Sequence, residues 1–288
     1  MNKKILSAGF IALILVVGGV LADNSDVGSS ASITNAAPTV GTVAATDPVT
    51  LTESGTVTVQ CNATITDNNG YGDVSSVSAK LWDPAATTEG GSDDSEKHYT
   101  NSSCPLTGGS GTTVDAKCSF TVQYYANPAE WTCKLTATDG SSATGSGQNT
   151  AVTVSELKAL STDGSIALGE LALGATSASD VNITVTNTGN IAMNVSVDGY
   201  GTSDGDGRAM TCSIGTGHIS VGNLKYSLTA GTAYGSMTSL TDSAVTLDFN
   251  LAKRTQSAAS TKNVCHKLQM PASNAGGSCT GHIIVTAV

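Results

Sequence analysis

The stretch TVTVQCNATITD, residues 56–67, alternates without a break, with Val57, Val59, Cys61, Ala63 and Ile65 on one side and Thr58, Gln60, Asn62, Thr64 and Thr66 on the other. Successive side chains of an extended chain point to opposite faces, so this period of two predicts a half-buried β-strand. Short β-rich runs recur on both sides of it. They are punctuated by the turn pairs Asn69-Gly70, Asp139-Gly140, Asp163-Gly164 and Thr188-Gly189. No helical periodicity of about ten residues follows the N-terminal apolar run, which predicts an all-β chain of sandwich type. At 288 residues and roughly 150 per domain, the length suits about two domains.

The first segment reads as an address. Lys3 and Lys4 precede an apolar run from Ile5 to Leu21, and Val20-Leu21-Ala22 ends in a small residue before Asp23, as a secretory signal peptide over residues 1–22 would. Gly9-Phe10 imitates a prepilin cleavage site, but Ile14 stands where a pilin carries an acidic residue. Residues 23–37 form a flexible polar segment of small side chains. The first sandwich is expected over 38–157 and the second over 161–288. In the second, Val181, Ile183 and Val185 lead through Asn187-Thr188-Gly189-Asn190 into Ile191, Met193, Val195 and Val197, which reads as a hairpin.

Seven cysteines in an exported chain are expected to pair and to leave one over. Cys61 and Cys133 both sit on apolar strand faces and suit a bridge between two sheets. Cys104 and Cys118 flank a Gly/Ser/Thr-rich loop, where a local bridge is the simple reading and other pairings stay open. Cys212 shares a face with Met210 and Ile214, and Cys279 with Ile283 and Val285, so these two are expected to pair inside the second half. Cys265 alternates against Val264 and Leu268, which turns it outward as a free thiol and admits a thiol-linked homodimer. The neighbouring His266 then faces inward, so no activated Cys-His pair is expected.

The segment NPAEWTC, residues 127–133, resembles the strand-F motif of immunoglobulin folds, with Asn127 at the Asp position and Trp131 at the corner Tyr. That resemblance makes Trp82 the candidate core tryptophan of strand C. NAAPTV at 35–40, ITVTNTGN at 183–190 and the terminal GGSCTGHIIVTA are similar to immunoglobulin-like modules of prokaryotic, especially archaeal, secreted and cell-surface proteins. The resemblance implies two tandem immunoglobulin-like sandwiches that act by display and contact.

Composition narrows the partners. The net charge is −10, only 12% of residues are charged, aromatics make up 4%, and roughly a quarter of the chain is Ser or Thr. Thirteen scattered basic residues form no stripe for phosphates, so no nucleic-acid partner is expected. Gly201-Thr202-Ser203-Asp204-Gly205 matches a nucleophile-elbow pattern without a following helix, and Ser155-Glu156-Leu157-Lys158 matches Ser-x-x-Lys without its companion motifs. His98, His218, His266 and His282 show no metal spacing. The chain therefore predicts no enzyme, no cofactor and no catalytic residue. Acidic loops at Asp67–Asp73 and Asp204-Gly205-Asp206 are the places where calcium would sit, but Asn-Gly turn chemistry explains the first without an ion, and no metal is assigned. Sequons at Asn62, Asn101, Asn182 and Asn194 mark the chain as a candidate glycoprotein. The expected function is that of a secreted or cell-surface structural or adhesive protein without a membrane span in its mature form. Its expected partners are other surface proteins or glycans. A pilin-like filament subunit and a carbohydrate-binding module are the alternatives.

Overall fold

The computed structural model describes residues 27–215 and 217–288. The signal-peptide reading, with its prepilin rival, lies outside the described residues. Residues 27–34 are exposed and without regular structure, whereas Asn35–Val288 form one compact unit. Among the described residues there is no α-helix, and every strand ladder is antiparallel.

Nine strands build the first half: β1 (Thr39–Val40), β2 (Ala44–Ala45), β3 (Thr56–Thr66), β4 (Val74–Trp82), β5 (His98–Asn101), β6 (Leu106–Ser110), β7 (Thr113–Gln123), β8 (Ala129–Asp139) and β9 (Thr144–Val154). One sheet runs β1-β3-β7-β6, with β2 also on β3, and the other runs β5-β4-β8-β9. This is the strand order of an immunoglobulin sandwich, in which the second and sixth strands carry the inter-sheet bridge. The alternating face of β3 does what its sequence demands: Val59, Cys61 and Ile65 are fully buried, and they meet Leu81, Trp131, Cys133 and Leu135 of the facing sheet in one core.

Two details depart from the resemblance. Leu81, not Trp82, stands opposite Cys133 in the ladder and enters the core; Trp82, one residue on, points to the other face. At the corner, Trp131 is wholly buried and its indole N–H donates to the carbonyl of Asn127 at 2.9 Å, supplying by another atom the bond that a corner tyrosine makes with its hydroxyl.

The second half holds β10 (Leu160–Thr162), β11 (Val181–Asn187), β12 (Met193–Tyr200), β13 (Arg208–Ile214), β14 (His218–Ser220), β15 (Leu224–Ser227), β16 (Thr238–Ser239), β17 (Val245–Leu251), β18 (Thr261–Leu268), β19 (Gly276–Thr280) and β20 (His282–Ala287). They form three sheets, β10-β11-β18-β15-β16, β17-β12-β20 and β14-β13-β19, around a separate core that includes Ile183, Val195, Ile219, Leu224, Phe249 and Val264. The order of the first half is not repeated.

The expected hairpin at Asn187–Asn190 is not one. Strand β11 pairs with β10 and β18, and β12 pairs with β17 and β20, so the turn carries the chain from one sheet to another. All four of its residues are buried, and their side chains take the place of strand partners. The Asn187 amide donates to the carbonyls of Ile191 (2.8 Å) and Ala252 (2.9 Å). The Asn190 amide donates to the carbonyls of Ala126, in the β7–β8 connection, and Ser155, each at 3.0 Å, and its oxygen accepts the N–H of Leu157 at 2.6 Å, the last two in the chain leaving the first core. Thr188 bonds Glu53 of the first half at 2.7 Å. A Cβ on Gly189 would lie 2.0 Å from the Leu157 carbonyl oxygen, so only glycine fits there. Lys253 completes the junction, its ammonium reaching Glu96 (3.0 Å), Asn127 (2.8 Å) and the Tyr125 carbonyl (3.1 Å).

Replacing Asn190 by Ala strands two carbonyls and one N–H in this buried seam, and each buried group left unpaired costs about 1–3 kcal/mol. Asn190→Ala is expected to lower stability by about 3 kcal/mol in urea denaturation and to speed hydrogen exchange at the Leu157 amide. An unchanged midpoint would contradict the role of this turn.

His266 offers a second check. It is fully buried between Val181 and Tyr226 in the ladder, and among the described residues neither ring nitrogen has a hydrogen-bond partner of good geometry. Burial lowers its pKa from 6.5 to about 4. Its contribution is complete above the unfolded value near 6.5 and is lost as the pH falls towards 4, because the unfolded ring takes a proton that the folded one refuses. Thermal melts across that window should show a slope that His266→Leu flattens.

Candidate functional site

The most concentrated chemistry in the molecule lies at the end of the first sandwich remote from the junction. Strand β3 ends at Thr66, and Asp67 follows it into a tight turn: its Oδ1 accepts the Asn69 N–H at 2.8 Å and its carbonyl accepts that of Gly70 at 3.0 Å. Gly70 has φ +116°, which favours glycine, and delivers the chain into a 3-10 turn, Tyr71–Asp73. Strand β8 of the facing sheet ends at Asp139, whose Oδ1 accepts the N–H groups of Ser141 (2.9 Å) and Ala143 (2.8 Å). Asn35 donates to Asp139 Oδ2 at 2.8 Å and the Ala36 N–H donates to Asn69 at 2.7 Å, so the chain joins the sandwich at this corner. Asp67 and Asp139 are buried, Asp73 is half-buried, and one oxygen from each of the three carboxyls lies within 4.8 Å of the other two. Hydrogen bonding, from Asn35 first and then from backbone N–H groups, holds the Asp139 carboxyl below the usual carboxylate range despite its burial.

The second acidic loop is different. Asp206 accepts backbone N–H bonds from Gly201, Thr202, Ser203 and Arg208, which lower its pKa to about 2, the Thr202 bond most of all. Its oxygens are already occupied, and the loop needs no ion. Ser203 sits in the same turn and no helix follows it, so the elbow pattern has no elbow.

A shallow groove of about 520 Å³ lies beside β5 and β7, bordered by Asp93, His98, Asn101 and Thr121. His98 is buried, with Nδ1 2.9 Å from Asp93 and Nε2 3.1 Å from the Glu89 carbonyl, so neither nitrogen is free to act as a base. His218 and His282 are exposed, and His282 stacks on Tyr200 at 4.7 Å. Both tryptophans are buried, and neither presents a face to a sugar.

Three bridges join Cys61 to Cys133, Cys104 to Cys118 and Cys212 to Cys279. The first crosses between the two sheets of the first half, while the third ties register partners of adjacent strands. Ile214, expected to share the inward face of Cys212, is exposed, because β13 shifts register between the two. Cys265 corrects the expectation of a surface thiol. It does lie on the face away from the core, opposite Asn182 and Ser227, yet it is only 2% exposed. That face is covered: Lys267 pairs with Asp180 at 3.3 Å and reaches the Thr232 carbonyl at 2.9 Å, while the Gly231 N–H donates to Asp180. Burial, and then the Asp180 charge, raises the Cys265 pKa, so the thiol is held protonated and out of reach of a partner chain. A homodimer linked through it would require that cover to open.

Among the sequons, Asn182 is exposed. Asn194 spends only its oxygen, on the Asn250 N–H at 2.7 Å. The Asn101 amide nitrogen donates to the Ser119 carbonyl at 3.0 Å, and the Asn62 oxygen is buried without a partner. Asn182 and Asn194 thus offer the free amides. Among the described residues no helix is long and apolar enough to cross a membrane.

No family model matches this chain, and no curated protein is similar to it. Among solved structures it is similar to one from work described as "Structural basis for the promiscuous specificity of the carbohydrate-binding modules from the beta-sandwich super family", with 14% identity over 88% of this chain and 98% of that chain and a TM-score of 0.25. A likeness that low carries no argument about ligand or activity.

The native protein is expected to give no reaction with a thiol reagent and the unreduced, urea-unfolded protein one thiol per chain. Rapid labelling of Cys265 in the native state would show that its cover is absent.

Proposed function

We propose that the chain is a secreted or cell-surface structural or adhesive protein of immunoglobulin-like type, acting through non-catalytic contacts with other surface proteins or glycans. The observation that carries this reading is the three intrachain disulfides, which persist in oxidising compartments and are rare in a reducing cytosol. The signal-like N-terminus agrees with it. So does the junction, because a buried, hydrogen-bonded seam makes the two cores one body suited to holding a surface at a distance. In a host that attaches sugars to asparagine, Asn182 and Asn194 are the sites that accept them without breaking a bond.

Fractionation and protease shaving of source cells, followed by intact mass under reducing and non-reducing conditions, test the reading. The expected result is an externally accessible protein cut after Ala22 with three bridges and one thiol. A full-length, fully reduced protein in the cytoplasm would overturn it.

A further inference from the structure

We propose that Asp67, Asp73 and Asp139 bind one calcium ion, which clamps the corner where the chain joins the first sandwich. Two independent observations carry this. The first is the convergence of three carboxyls from elements far apart in sequence, the end of β3, the 3-10 turn and the end of β8, with one oxygen from each inside 4.8 Å of the others. Three points so placed share a centre no farther than about 2.8 Å from each, close to the 2.3–2.6 Å of calcium–oxygen bonds. The second is the state of Asp67. Its side chain is wholly buried, one oxygen accepts the Asn69 N–H, and the other, Oδ2, is buried with no hydrogen-bond partner among the described residues.

A buried carboxylate oxygen left bare beside two further carboxylates is unfavourable unless a cation compensates it. No lysine or arginine pairs with any of the three among the described residues. The contrast with Asp206, whose oxygens are filled by backbone N–H groups, shows what a self-sufficient acidic turn looks like in this same chain. An all-oxygen, carboxylate-rich set of uneven geometry suits calcium better than magnesium, which demands a near-ideal octahedron and sheds water reluctantly. The ion would join the same two strands, β3 and β8, that the Cys61–Cys133 bridge joins nearer their middle. It would also steady Asn35 and Ala36, which lean on Asp139 and Asn69.

The test uses the full chain stripped with a chelator and titrated calorimetrically with calcium chloride, and in parallel with magnesium chloride. One saturable calcium site per chain is expected, with weaker magnesium binding, a melting temperature that climbs with calcium concentration, and slower hydrogen exchange at the Asn69 and Ser141 amides. Asp67→Asn keeps the acceptor for Asn69 but removes a charge, and should weaken calcium binding about tenfold or more. Asp73→Asn should do the same, and it carries the test if Asp67→Asn does not fold, because among the described residues the Asp73 side chain makes no hydrogen bond and only its backbone is engaged. Asp204→Asn, in the exposed second loop, should bind as the parent does. No saturation by about 10 mM calcium, beyond the range of extracellular modules, would overturn the proposal. Equal affinity in the parent and Asp73→Asn would overturn it as well.

Discussion

The architecture depends on a turn whose polar side chains are buried. Asn187–Asn190 lies between two cores where water is excluded, and a turn there must satisfy its backbone groups and those it meets. Asparagine answers that demand because one amide both donates and accepts: Asn190 closes three bonds, one on the β7–β8 connection and two on the chain that leaves the first half, and Asn187 ties the turn to Ile191 just before β12 and to Ala252 just after β17. Gly189 lets the two backbones touch. The result is one compact unit in which neither core hangs from a free linker.

Around that seam the first half is held in three ways that differ in physics. Apolar burial between the sheets supplies the driving force, with Ile65, Leu81, Trp131 and Leu135 fully enclosed. The Cys61–Cys133 bridge closes a loop 72 residues long and, in the chain-entropy view, acts chiefly by restricting the unfolded chain. The Trp131–Asn127 bond fixes the corner where β8 begins. At the opposite end of β8 the aspartate cluster has no such protein partner for every oxygen, and that imbalance is what makes it chemically expressive.

Much of this was legible in the residues because period-two patterning reports directly on burial. The faces of β3 and β8 and the inward turn of Cys61, Cys133, Cys212 and Cys279 follow from alternation, whereas Cys104 lies between β5 and β6 and its bridge to Cys118 is suggested only by the loop they flank. Alternation says nothing about which strand lies beside which. That is why Asn187–Asn190 reads as a hairpin although its flanking strands enter different sheets. Trp82 is nominated by the immunoglobulin resemblance, and the period of β4 puts Val77, Ala79 and Leu81 in the core instead. Nor does alternation tell what covers an outward face, so Cys265 points away from the core and is still enclosed, by an ion pair and a loop distant in the chain.

The amino-acid order alone settled the all-β class, the half-buried strands, the scarcity of basic charge and the surplus of one cysteine, since each is a property of composition or of neighbours along the chain. Folding in three dimensions decided the junction, the cover over Cys265 and the meeting of Asp67 with Asp139. Those depend on contacts between residues tens of positions apart, and a local pattern holds no record of such distances until the sheets have packed.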